Sequence, residues 1–106
     1  MAVDMNILFE YLYRDAGNNK KWGEVIFTNM NNVDRSLLES KLKEGLIDGE
    51  FFVGEKSRLP KLEFLAVDFE LDHDWYEFHS LEETHRPQND EEGRDIREFI
   101  NDISIR

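Results

Sequence analysis

The chain contains no cysteine, so neither a disulfide framework nor a thiolate nucleophile or thiolate metal site is open to it. A reducing compartment suits such a chain. Only two prolines and six glycines occur in 106 residues, with no repeat and no low-complexity tract to mark a linker. One domain, residues 1–106, is expected. Apolar residues never run long. In MAVDMNILFEYLYRDAG, residues 1–17, Asp4 and Glu10 interrupt them and no basic stretch precedes them, which predicts neither a signal peptide nor a membrane span. The expected location is the cytoplasm. Cations are scarce too, with 13 Lys and Arg against 24 Asp and Glu and a net charge of −11. Nucleic-acid binding draws its sequence-independent affinity from cations placed on phosphates, so nucleic acid and anionic membrane are not expected partners.

What the chain does have is enough apolar matter for a core, 40% of residues, with eight Phe, two Trp and three Tyr. Its charge is unevenly spread. Residues 68–95 hold eleven acids against Arg86 and Arg94, a net −9, whereas residues 1–67 are nearly balanced. A basic protein partner is electrostatically suited to such a segment.

NILFEYLYR, residues 6–14, alternates Ile7, Phe9, Tyr11 and Tyr13 with Asn6, Leu8, Glu10, Leu12 and Arg14, the period of a strand. DAGNNK then collects turn-forming residues, and WGEVIFTN is again rich in strand formers. The pair predicts a hairpin, in the register that sets Phe9 against Phe27 and Tyr11 near Val25. That register leaves Leu8, Leu12, Trp22 and Ile26 on the other face, too apolar for bare solvent surface, which suggests cover by another element or a homodimer through this hairpin. A helix follows, with Asp34 as N-cap, Leu37, Leu38 and Leu42 as its buried stripe and Gly45 as its stop. Phe51 to Val53 reads as a short strand ended by GEKSRLP, KLEFLAV (residues 61–67) as a second strand, and WYEFHSLE (residues 75–82) as its hairpin partner. The last segment carries Ile96, Phe99, Ile100 and Ile103 at helical spacing, with Asn89 or Asp90 as cap. The expected architecture is α+β: an antiparallel sheet of four to five strands with two helices on one face, in the order ββαβββα.

The densest chemistry lies in LDHDWYEFHSLEETH, residues 71–85, which holds all three histidines and five carboxylates. An extended Trp75–Leu81 would put Trp75, Glu77 and His79 on one side and Tyr76, Phe78 and Ser80 on the other. His73 could lean toward Glu77 and His79, giving two imidazoles and a carboxylate, a set that zinc, iron or manganese can use. The same groups could serve as an acid/base pair. Against both, H-x5-H-x5-H is no established ligand spacing, no nucleophile motif occurs, and a carboxylate lies near any histidine in so acidic a chain. A solvated sheet face is the plainer reading, and no catalytic residue, metal or cofactor is assigned. DAGNN is read as a hairpin turn and not as an ion-binding loop.

YLYRDAGNNKKWGEVIFTN, LIDGEFFV, RLPKLEF and DHDWYEFHSLEET, in this order, resemble a family of short bacterial proteins without an assigned function. Its pattern is a Y-R-D-A-x-N-x-K hairpin, a D-G-x-F-F step, an L-P-x-L strand and a D-H-x-W-x-E-F strand. The likeness spans most of the chain. Asn19 departs from it where an aromatic is usual, and Tyr76 where histidine is usual, which takes one imidazole out of the tract. The resemblance implies a small free-standing cytoplasmic domain and supplies no chemistry. The expectation is therefore a non-enzymatic protein-interaction domain, accessory, inhibitory or immunity-like, that presents Asp72, Asp74, Trp75, Glu77, His79, Glu82 and Glu83 to a protein partner. The alternative is a metal-dependent or acid/base enzyme using His73, Glu77 and His79.

Overall fold

A computed structural model describes residues 5–15, 17–62 and 75–105. Four strands, β1 (Asn6–Arg14), β2 (Lys20–Phe27), β3 (Phe51–Val53) and β4 (Trp75–Thr84), form one antiparallel sheet in the order β2-β1-β4-β3. Three helices, α1 (Arg35–Gly45), α2 (Gly54–Ser57) and α3 (Ile96–Ile103), complete an α+β architecture. Among the described residues the order is ββαβαβα, which adds after β3 a helix that the expected order lacks. GEKS does not merely end β3 but winds into one helical turn, where the Ser57 hydroxyl donates to the Gly54 carbonyl (2.6 Å) and Arg58, at φ +53°, stops it in a left-handed conformation. The strand expected over residues 61–67 lies, but for Lys61 and Leu62, outside the described residues, as does the hairpin it was to make. Among the described residues β4 is flanked by β1 and β3.

The inner face of the sheet follows from alternation along β1. Ile7, Phe9, Tyr11 and Tyr13 are buried and pack with Val25, Phe27, Phe52, Tyr76 and Leu81 against Leu38 and Leu42 of α1 and Ile96, Phe99, Ile100 and Ile103 of α3. Phe9 and Phe99 meet edge to face at 4.8 Å, and Phe27 stacks on Phe99 at 4.4 Å. Burying one such ring contributes about 2–3 kcal/mol. The hairpin register differs from the expected one by two residues: Phe9 lies opposite Val25, and Phe27 opposite Ile7. The faces are unchanged by an even shift, and Phe9 still reaches Phe27 diagonally at 6.5 Å. The Asp15 carboxylate sets the register by closing the turn. It accepts from the Asn19 amide at 2.8 Å, which holds it below the ordinary carboxylate value, and Asn18 takes φ +64°.

Tyr11 lies opposite Gly23, where an added Cβ would come within 2.8 Å of the Tyr11 ring and 3.0 Å of Leu62. Only glycine fits there. The Tyr11 hydroxyl donates to the Pro60 carbonyl at 2.8 Å, the Leu62 amide donates to the Tyr76 hydroxyl at 3.1 Å, and burial raises the Tyr11 phenol above its ordinary value. A similar close approach joins the helices, because a Cβ on Gly45 would meet the Ser104 side chain at 2.6 Å.

α1 begins at the expected cap, with the Asp34 side chain accepting from the Ser36 amide. Leu38 and Leu42 face the core, but Leu37, expected beside them, is 64% exposed. One residue before Leu38 is a turn of about 100°, enough to carry it off the buried stripe. The cap of α3 is also corrected. Neither Asn89 nor Asp90 serves, because the chain turns at Gly93 (φ +63°) before the helix starts, and Asp95 forms a capping box with Glu98. Asp95 further accepts from the Met30 amide (2.7 Å) and the Thr28 hydroxyl (3.0 Å), tying the head of α3 to the end of β2.

Candidate functional site

The outer face of the sheet is built from the alternate residues. Among the described residues no helix packs on it, since the buried side chains of α1 and α3 all belong to the inner cluster. Pairing sets Leu8 between Ile26 and Glu82, Glu10 between Glu24 and Ser80, and Leu12 between Trp22 and Glu77. β1 and β4 change register between Glu10 and Tyr11, where Ser80 is followed in the pairing by Phe78. His79 is thus the extra residue of a bulge. The bulge puts Phe78 inside, stacked on Phe9 at 5.6 Å, and leaves both His79 and Ser80 outside. This corrects the strict alternation, which had put Ser80 with Tyr76 and Phe78.

On this face Trp22 stands 52% exposed, edge-on to His79 at 4.8 Å and across from the buried Leu12. At the far edge Trp75, 41% exposed, lies 5.8 Å from Phe51. Between them Glu77 is clamped by Arg14, whose Nε donates at 2.8 Å and whose Nη2 donates at 3.3 Å. That hydrogen bond raises the Arg14 pKa above its ordinary value. Glu10 and Glu24 lie directly opposite one another, an arrangement of like charges that destabilises a sheet. The Ser80 hydroxyl at 3.2 Å from Glu10 and Arg86 at 3.0 Å from Glu24 offset it in part.

Of the residues expected to meet a partner, Trp75, Glu77, His79 and Glu82 come together on this face. Glu83 lies across from Ile7, exposed at the rim of the helix side. Asp72, Asp74 and the metal candidate His73 lie outside the described residues. Glu77 is engaged by Arg14 and the His79 ring meets an indole. Among the described residues no group of three His, Cys, Asp or Glu could hold a metal ion. Ser80 bonds Glu10 and not His79, so among the described residues these two form no hydroxyl–imidazole dyad. Trp22, Glu10 and Glu24 join the site although they stand far from residues 71–85 in sequence. The signal for Trp22 was its place on the spare apolar face of the hairpin; that this face borders His79 required knowing that β1 pairs with β4.

The acidic segment itself divides in two. Arg94, only 4% exposed, forks onto Asp90 (2.9 and 3.0 Å), donates to the Ser57 carbonyl at 2.8 Å and to Asp102 at 3.1 Å, and lies over the Phe99 and Phe27 rings. Arg58 extends the network to Asp102 and Glu92. Burial alone would raise the Asp90 carboxyl, but the Arg94 hydrogen bonds outweigh it and hold the carboxyl below its ordinary value. Burial likewise opposes the charge on Arg94, which its carboxylate partners nevertheless strengthen. Asp90 and Asp95 therefore act inside the fold and Glu92 is held at its surface by Arg58, while Glu82, Glu83 and Glu91 face solvent. No helix among the described residues is long and apolar enough to cross a membrane. No protein-family model, no curated protein and no solved structure matches the chain.

Proposed function

We propose that the chain is a non-enzymatic interaction domain and that the outer face of its sheet receives a basic protein partner. The observation that carries this reading is the half-exposed Trp22 standing on one strand face with the opposed Glu10 and Glu24. Indoles anchor interfaces because they bury a large rigid surface at small entropic cost. An arginine or lysine of the partner, set between Glu10 and Glu24 with Glu82 nearby, relieves the repulsion that the fold leaves partly unmet. A second copy of this chain is the less suited occupant, since it would bring a like-charged face to the same carboxylates.

The test is an NMR titration of the full chain with a synthetic peptide of alternating arginine and leucine, beside a glutamate and leucine control. Shifts at Leu8, Glu10, Trp22, His79 and Glu82, with affinity falling as sodium chloride rises, are expected. Shifts confined to α1 and α3, or affinity indifferent to salt, overturn the reading. The enzyme alternative with His73, Glu77 and His79 rests on no geometry among the described residues.

A further inference from the structure

The outward side of the helix layer carries a different surface. A groove of about 670 Å³ runs between α1 and α3, with Leu38 and Ile100 beneath it and Val33 and Leu37 on one flank. It continues past Arg97 and Asn101, which it shares with a smaller concavity beside Met30. Leu37 and Met30 are both strongly exposed here. The groove follows from the helical stripes. Arg97, Ile100, Asn101 and Ser104 recur at three and four residues on the α3 side, as Leu37, Lys41 and Glu44 do on α1. Small polar side chains at Ser40, Asn101 and Ser104 let a third backbone approach closely.

Its charge is unlike that of the sheet face. Lys41 on one wall and Arg97 on the other are exposed, and neither makes an ion pair among the described residues, although the chain holds 24 carboxylates. The groove also holds one carboxylate, Glu44, on the α1 wall, so two cations stand there against one acid, a local positive excess that in a protein this acidic selects the occupant. We infer that the groove docks an amphipathic helix of a partner protein, with carboxylates flanking an apolar stripe. Leucine-type side chains of that helix would rest on Leu37 and Ile100, and its carboxylates would reach Lys41 and Arg97. A second copy related by a two-fold axis fits less well, because it would set Lys41 and Arg97 against their own counterparts.

This surface is independent of the one proposed above, and both tryptophans lie on the other side of the molecule. Full-length protein labelled with nitrogen-15 is titrated with a synthetic helical peptide that carries leucines at i, i+4 and i+7 between glutamates. Saturable shifts at Leu37, Lys41, Arg97 and Ser104 are expected, with Trp22 and Trp75 fluorescence unchanged. The double variant K41E/R97E, altered only at exposed positions, should bind this peptide about tenfold more weakly and gain affinity for the same peptide with lysines in place of glutamates. L37D should abolish binding of both while leaving the thermal midpoint near that of the parent. Absence of saturation, shifts centred on Trp22, an unchanged affinity in K41E/R97E, or self-association that L37D removes would each overturn the inference.

Discussion

Two faces of one sheet, made of alternate residues on the same strands, are closed by different means. On the inner face Phe9 lies among Phe27, Phe52, Phe78 and Phe99, beneath two helices. On the outer face Leu12 and Ile26 are also buried, yet no helix among the described residues lies over them, and the neighbours described there are local, Trp22 across from Leu12 and Asn89 on the Ile26 backbone. Asn89 shows how local these contacts are. Its side-chain oxygen accepts from the Ile26 amide at 2.7 Å and its own amide donates to the Ile26 carbonyl at 3.0 Å, so that one residue closes part of the β2 edge. Charge is handled differently too. Beneath the helices Arg94 is fully paired, whereas on the open face Glu10 and Glu24 are left side by side. The first arrangement serves the fold, and the second is tolerable only where solvent or a partner can reach it.

The contrast predicts a graded set of effects. Arg94→Ala strands Asp90 in the interior and should cost about 3–5 kcal/mol in urea unfolding, while Arg14→Ala, which breaks the exposed pair with Glu77, should cost less than about 1 kcal/mol. Equal losses would erase the distinction between the faces. Gly23→Ala pushes a methyl into the Tyr11 ring and should cost about 1–3 kcal/mol, which thermal melting would show; an unchanged midpoint would mean that the ring and Leu62 yield freely. Acid provides a third comparison. Asp90 has its folded value lowered from 3.8, so its contribution is complete above that ordinary value and is lost as pH falls through the lower folded one. Asp90→Asn should be clearly destabilised at pH 7, and its deficit should shrink below about pH 4 as the parent loses the same ion pair. The smallest effect is on the open faces, where Leu37→Ser should change stability by no more than about 0.5 kcal/mol, as checked by the same urea titration.

Much of the fold was legible because it rests on period and punctuation. Alternation from Asn6 to Arg14 marked β1 and its two faces, Asp34 marked the start of α1, and the spacing of Ile96, Phe99, Ile100 and Ile103 marked the buried side of α3. Where sequence reading missed, the deciding partner was distant. Asp90 read as a helix cap because acids favour helix starts, but Arg94 claimed its carboxylate and Asp95 took the cap. Ser80 read as an inward residue because the bulge at His79 depends on how β4 meets β1. Of the candidate site, Trp75, Glu77, His79 and Glu82 were named from the sequence, and their company of Trp22, Glu10 and Glu24 was not.

The sequence by itself determined a cysteine-free, strongly acidic α+β chain, since composition, alternation and helical spacing are local properties that each segment carries alone. Tertiary structure decided which carboxylates are spent on Arg94, Arg58 and Arg14, and which remain on a surface, because pairing brings together residues some sixty positions apart, such as Arg14 and Glu77. It also placed Lys41 and Arg97 on a groove and the two exposed indoles on a sheet face, arrangements that exist only once the helices pack and the strands take their order.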